Sequence, residues 1–169
     1  VLITNGNLEL VDEGIDFIIR TDNAYLDGMD EWCTKQHGQM RLLSRSSGPT
    51  QACLTSTHSH EAVSESVLNY IKKWVSQRRI GILAGNSVHA DRSFLVKHMP
   101  EIIEWLHCRL FISDTAKELS RRWYLAQLGI PRLAESNHRA LDDIRGSMKE
   151  LQWYGRNILI PPIQPPPKV

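Results

Sequence analysis

The feature that most constrains the fold is a short apolar run, Ile80–Ala84, which ends at Gly85-Asn86 and lies between two stretches with helical periodicity. A continuous apolar run of this length is typical of a buried strand. A second candidate strand, Leu110–Ile112, follows two further helical stretches. Strands that alternate with helices in this way predict an α/β layered domain rather than a helical bundle.

Periodicity and capping residues predict the other elements. Short strands are expected near the start of the chain, so the sheet should be mixed: Val1–Thr4, Leu8–Val11 and Asp16–Arg20, with a hairpin-type turn at Asn5-Gly6-Asn7. Helices are expected at His58–Gln77, Asp91–Lys97, from Pro100 through Leu106, from Asp114 or Thr115 to Trp123, and at His138–Arg156. Two of them carry apolar stripes that should be buried: Val63, Val67, Leu68, Ile71, Trp74 and Val75 in the first, and Leu141, Ile144, Met148 and Leu151 in the last.

The charge balance limits the kind of partner. Lys and Arg (20) nearly equal Asp and Glu (19), which argues against a general duplex-DNA binder but permits an enzyme that handles very short nucleic acids. Three scattered cysteines suggest a reducing compartment, and no apolar run is long enough to span a membrane. An intracellular protein with no membrane partner is therefore expected.

The first candidate site is the start of the last predicted helix, where His138 precedes Asp143 by five residues. The carboxylate could hold Mg²⁺ or Mn²⁺, which prefer oxygen ligands, and the imidazole could take a proton from water. Small residues on the same stripe, Ala140 and Ser147, would let this helix face approach another surface. The alternative is an acidic first turn that only complements the helix dipole.

The second candidate site follows the apolar run, at Gly85–Arg92. Asp91 would lie beside the carboxyl edge of the sheet, which is where open α/β sheets bind ligands. Ser87 could donate a hydrogen bond to a phosphate. The alternative is an ordinary strand-to-helix turn with a surface pair of Asp91 and Arg92.

Taken together, these segments closely resemble one enzyme family. The matching stretches are Met29–Gly38, Gly85–Pro100, Lys117–Tyr124 and His138–Tyr154. They are similar to oligoribonucleases, which are DEDDh-type 3′→5′ exonucleases with a ribonuclease H-like fold. The similarity runs from Leu2 to about Ile158, so we expect an exonuclease domain at residues 1–158 and a proline-rich tail at 159–169.

The resemblance implies roles for individual residues. In the family, four carboxylates bind two divalent ions, and Asp91 and Asp143 match the third and fourth of them, while His138 matches the general base. Trp32 matches an aromatic residue that stacks on a base. Residues that match the groups capping the 5′-phosphate of a dinucleotide are His37, Ser87 and Arg109. The implied cofactor is Mg²⁺ or Mn²⁺, and the implied partners are short RNA oligonucleotides and a second copy of the chain, as a homodimer.

This chain also departs from the family pattern. The family's first two carboxylates lie on a central strand, in an Asp-x-Glu motif that would fall upstream of Val1, so the expected fold here is a ribonuclease H-like mixed sheet without that strand. Cys108 replaces a tyrosine that crosses to the partner subunit, Ile112 replaces an aspartate, and Asp114 replaces a serine of the phosphate cap, where its charge should repel the phosphate.

Two functions therefore stay open from the sequence. One is an oligoribonuclease-like enzyme, of impaired activity, that degrades very short RNA to mononucleotides in the cytoplasm or in mitochondria. The other is a catalytically dead homologue that serves as a structural or RNA-binding subunit of a larger complex.

Overall fold

The structure is a computed structural model, which describes residues 1–22, 24, 28, 49–124 and 140–159. Within these residues the elements are, in chain order, α1 (Pro49–Thr55), α2 (His60–Trp74), β1 (Leu83–Gly85), α3 (Val88–His98), α4 (Pro100–Trp105), β2 (Leu110–Ile112), α5 (Ser113–Tyr124) and α6 (Ala140–Asn157). The chain divides into two compact units, one formed by Val1–Gly14 with Lys72–Val169 and the other by Ile15–Ile71. The first unit contains both strands and therefore most of the candidate site.

The two strands confirm the α/β class. In the described part of the chain they form a two-stranded parallel sheet in which Leu83 pairs with Leu110 and Gly85 pairs with Ile112. A parallel pair requires a crossover connection, and α3 and α4 supply it. Helix α3 packs on both strands and on α4. The strand predicted at Leu110–Ile112 is thus confirmed with its bounds.

The strand predicted at Ile80–Ala84 is shifted along the chain. Ile80 lies in a turn and is 59% exposed, and Ile82 is 51% exposed, so the run is not a fully buried strand. The physical reason lies one residue earlier: Arg79 has a left-handed backbone (φ 63°), and its N–H donates to the carbonyl of Trp105 at 2.7 Å. The chain becomes extended only at Leu83.

The predicted N-terminal strands are reduced to isolated bridges. Thr4 pairs with Leu10 in the antiparallel sense, and Ile19 pairs with His58 in the parallel sense, so the three predicted strands were wrong as extended elements. The turn between the first two is confirmed, because the Asn5 carbonyl accepts from the N–H of Leu8 at 3.1 Å. The mixed sheet and its central strand stay predictions.

The helices agree with the periodicity better than the strands do. All five helices predicted in the described residues form, with ends that differ by a few residues; α3, for example, begins at Val88 instead of Asp91. Helix α5 begins at Ser113, so Asp114 lies in its first turn and is not its cap. The start predicted for the last helix, at His138, lies outside the described residues.

The buried faces were predicted only in part. Val63, Val67 and Ile71 of α2 are buried as expected, whereas Trp74 is 41% exposed. In α6 Leu151 is buried, but Ile144 is 39% exposed. The most buried residues of α6 include Glu150 and Tyr154, which periodicity of apolar residues does not detect. None of the helices in the described ranges is long and apolar enough to cross a membrane.

Candidate functional site

The candidate site lies where the two parallel strands end. β1 ends at Gly85 and is followed by Asn86 and Ser87, after which α3 begins. β2 ends at Ile112, and α5 begins at the next residue. Because Gly85 pairs with Ile112, the residues that follow the two strands are neighbours at the carboxyl edge of the sheet.

Asn86 connects three elements at this edge. The hydroxyl of Ser113 donates to Asn86 Oδ1, and Asn86 Nδ2 donates to Ser147 Oγ at 2.8 Å. The hydroxyl of Ser147 in turn donates to the carbonyl of Asp143, one helical turn earlier, at 3.0 Å. The ends of both strands are thereby linked to the turn of α6 that carries Asp143. Ser147 of the predicted small-residue stripe thus contacts another element, whereas Ala140 and Asp143 of the same stripe are exposed.

Ser87 has an unusual backbone that its neighbour stabilises. Its φ of 48° and ψ of 27° lie in the left-handed region, which costs a non-glycine residue about 1–2 kcal/mol. The N–H of Ser87 donates to Asp114 Oδ2 at 2.6 Å, and its hydroxyl donates to the same oxygen at 3.1 Å. Hydrogen bonds to a charged acceptor are stronger than neutral ones, so they offset the strained backbone.

The two candidate metal ligands flank this edge. Asp91 lies in the first turn of α3, directly after β1, and Asp143 lies in the first turn of α6, which packs on α5 and on β1. Both residues are exposed. Carboxylate oxygens suit Mg²⁺ and Mn²⁺, so the donor chemistry fits. No group of three or more His, Cys, Asp or Glu that could hold a metal occurs among the described residues, so these two carboxylates would form only part of a ligand set.

Arg109 lies apart from Ser87 along the sheet. It immediately precedes β2, whereas Ser87 follows the carboxyl end of β1, and parallel strands therefore place them at opposite ends. Arg109 is exposed, and its N–H donates to His107 Nδ1 at 2.9 Å. Three other predicted site residues, Trp32, His37 and His138, lie outside the described residues.

A buried polar cluster that the sequence did not predict links α5 to α6. Lys117 Nζ of α5 lies 3.1 Å from Glu150 Oε1 of α6, and the hydroxyl of Tyr154 donates to the same oxygen at 3.0 Å. Glu150 is 8% exposed and Tyr154 only 1%. Burial and the hydrogen bond to Glu150 raise the pKa of Tyr154 to about 12. The cluster joins the helix that carries Asp114 to the helix that carries Asp143.

The sequence signals for the missed residues were weak. Ser113 could have been noticed as the first residue after a predicted strand, in the position that places polar groups at a carboxyl edge. Glu150 and Lys117 gave no sequence signal of burial, because charged residues are rarely buried unless paired and their pairing depends on how two helices pack.

Comparison with known proteins adds evidence of ancestry. Residues 1–151 match the profile of the RNase T family, described as exonuclease. A Schizosaccharomyces pombe protein named probable oligoribonuclease is 43% identical over 154 residues, which are 90% of this chain and 57% of that protein. The mitochondrial oligoribonuclease of Mus musculus is 41% identical over 159 residues, covering 93% of this chain and 63% of that protein.

A bacterial relative is covered more completely. The oligoribonuclease of Halorhodospira halophila is 38% identical over 164 residues, which are 94% of this chain and 82% of that protein. The chain thus spans 57% and 63% of the length of the fungal and mouse relatives, and a larger part of the bacterial one.

Proposed function

This chain belongs to the RNase T family of exonucleases, among its oligoribonuclease-like members of the DEDDh type, and we propose that it is a 3′→5′ exoribonuclease which degrades very short RNA oligonucleotides to mononucleotides. The relatives named oligoribonuclease support the substrate class. The parallel pair β1–β2 with packed helices agrees with a ribonuclease H-like domain. The main support for the proposal is a chain of hydrogen bonds that runs from Asn86, directly after β1, through Ser147 to the carbonyl of Asp143. Asp91 lies on the helix that follows the same strand.

The proposed site uses Mg²⁺ or Mn²⁺ held by Asp91 and Asp143 together with further ligands. When bound, such ions would polarise the phosphodiester and lower the pKa of water. His138 would accept the proton of the attacking water. The hydrogen-bond chain through Asn86 and Ser147 would keep the Asp143 turn against the end of β1, so that the carboxylate is positioned before substrate arrives.

Four further residues have proposed roles in binding the RNA. Trp32 would stack on a base, which does not depend on sequence; His37 and Arg109 would contact the 5′ end, and Ser87 would lie beside it. Since Arg109 lies at the opposite end of the sheet from Ser87, a homodimer would let Arg109 of a second copy approach the same RNA. The mouse relative is named mitochondrial, which favours mitochondria as the compartment.

A hydrolysis assay tests the proposal. The chain would be incubated with a labelled diribonucleotide and Mn²⁺, and the released mononucleotide would be measured. We expect turnover, and we expect Asp91→Asn and Asp143→Asn each to reduce it at least about a hundredfold, because a metal ligand affects the reaction more than the residues around it. Asp142→Asn, which removes an exposed carboxylate next to Asp143, is the matched control and should keep most of the activity.

Two other outcomes are informative. Release of mononucleotide that is equally fast in all variants would contradict the assigned site. Binding of the diribonucleotide without any hydrolysis, in wild type as well as in the variants, would contradict the enzyme and favour an RNA-binding subunit of a larger assembly.

A further inference from the structure

The carboxylate of Asp114 occupies the hydrogen-bond donors that Ser87 presents at the start of α3. Asp114 Oδ2 accepts from both the N–H and the hydroxyl of Ser87, at 2.6 and 3.1 Å. Helix α3 has eleven residues, and the N–H of Ala90 in its first turn donates to the Ser87 carbonyl at 2.8 Å. The two donors of Ser87 are therefore already bound to an anion from the chain itself, the carboxylate of Asp114.

The same donors would suit a phosphate. A backbone N–H and a hydroxyl that converge at a helix N-terminus bind oxyanions in general, and a carboxylate oxygen and a phosphate oxygen make the same kind of hydrogen bond. The two anions cannot share the position, because both would need the same donor hydrogens. A terminal phosphate of RNA could bind Ser87 only after Asp114 had been displaced.

Displacing Asp114 is unfavourable for two reasons. Its neighbour Ser113 is held by the hydrogen bond to Asn86, so the first turn of α5 is fixed against the end of β1. In addition, no lysine or arginine in the described ranges forms an ion pair with Asp114, so its negative charge would be unbalanced once it left the donors of Ser87. A displaced carboxylate would lie close to the incoming phosphate and repel it.

We propose that Asp114 determines substrate specificity by occupying the two hydrogen-bond donors of Ser87, which are then not available to a 5′-phosphate. The protein therefore accepts short RNA with a 5′-hydroxyl end at least as well as 5′-phosphorylated RNA. The inference rests on the proposed function, since it names the substrate class of that site. Ser87 then stabilises its own strained backbone through Asp114 and contributes no phosphate contact.

Equilibrium binding of two dinucleotides tests the inference. ApA and 5′-phosphorylated ApA would be titrated in the presence of Ca²⁺, which replaces the catalytic ion so that binding is measured without turnover. For the wild type we expect the phosphorylated ligand to bind no more tightly than ApA. In Asp114→Ser the donors of Ser87 are released and one charge is removed, so the preference should shift toward the phosphorylated ligand by about tenfold or more.

Two further variants separate the effect from a general change of charge or fold. Asp114→Asn keeps the shape and an acceptor oxygen but loses the charge, so its preference should shift in the same direction and by less. Glu118→Gln removes an exposed carboxylate one turn later on α5, where it pairs with Arg122, and should leave the preference unchanged. The ratio of the two affinities is insensitive to a loss of folded protein, which lowers both.

The outcomes distinguish the inference from the function on which it rests. If the wild type binds the phosphorylated ligand tenfold more tightly than ApA, or if neither Asp114 variant changes the ratio, the inference is wrong and the proposed function stands. If neither dinucleotide binds to any of the proteins, the proposed function is wrong and the inference falls with it.

Discussion

Replacing Lys117 by methionine should destabilise the protein by about 3 kcal/mol. Lys117 Nζ lies 3.1 Å from Glu150 Oε1, and the side chain of Glu150 is 9% exposed. Loss of the lysine leaves a buried carboxylate whose remaining hydrogen-bond partner, within the described part of the chain, is the hydroxyl of Tyr154. Removing one member of a buried ion pair costs about 3–5 kcal/mol. The lower end of that range applies, because the side chain of Lys117 is 31% exposed and solvent would reach the vacated position.

The measurement is urea denaturation of the wild type and Lys117→Met, with thermal unfolding as a second readout. For a chain of this length the predicted loss corresponds to a melting temperature lower by about 6–12 °C. Lys149→Met removes an exposed lysine of α6 and is the matched control, with an expected change within about 0.5 kcal/mol.

A double variant tests the physical cause. Glu150→Gln keeps an acceptor for Tyr154 but removes the charge, so Lys117→Met should cost less in the Glu150→Gln background than in the wild type, by about 1 kcal/mol or more. The reasoning would be refuted if Lys117→Met alone cost under about 1 kcal/mol, or if the two substitutions were additive.

Two further predictions concern the same helices and the sheet edge. The pKa of Tyr154 is about 12 in the folded chain, against 10.0 as its usual value. Both states hold the proton below pH 10; above it the unfolded chain releases its proton first, so the free energy of unfolding should fall by about 2–3 kcal/mol between pH 10 and 12. Denaturation across this range should show a shallower slope in Tyr154→Phe, and an equal slope would contradict the assignment. Asn86→Ala should cost about 1–2 kcal/mol in urea denaturation, because it removes hydrogen bonds to Ser113 and Ser147. Combined with Ser147→Ala it should cost less than the sum of the single changes, and strict additivity would argue against a shared network.

Much of the fold could be predicted from local patterns. Helix periodicity located α2 through α6, and the apolar stretch Leu110–Ile112 located β2, because these signals need only neighbouring residues. The strand at Ile80–Ala84 was misplaced, since an apolar run does not reveal that Arg79 takes a left-handed backbone and starts a turn.

The candidate site was predictable in outline and not in its contacts. Spacing placed Asp91 and Ser87 after a strand, and that is where the structure has them. The sequence indicated that Asp114 would repel a phosphate, but its hydrogen bonds to Ser87 depend on the register of β1 and β2. That register is set by packing between residues far apart in the chain, which no local pattern encodes.

The central claim is that Asp91 and Asp143 flank one cation site at the carboxyl edge of β1. Paramagnetic broadening of backbone amide signals by substoichiometric Mn²⁺ tests it most directly, with diamagnetic Mg²⁺ as the reference. We predict that broadening concentrates on residues 85–91 and 143–147 in the wild type and is lost from both segments in Asp143→Asn. Broadening at only one of the two segments, or a pattern that Asp143→Asn leaves unchanged, would contradict the account.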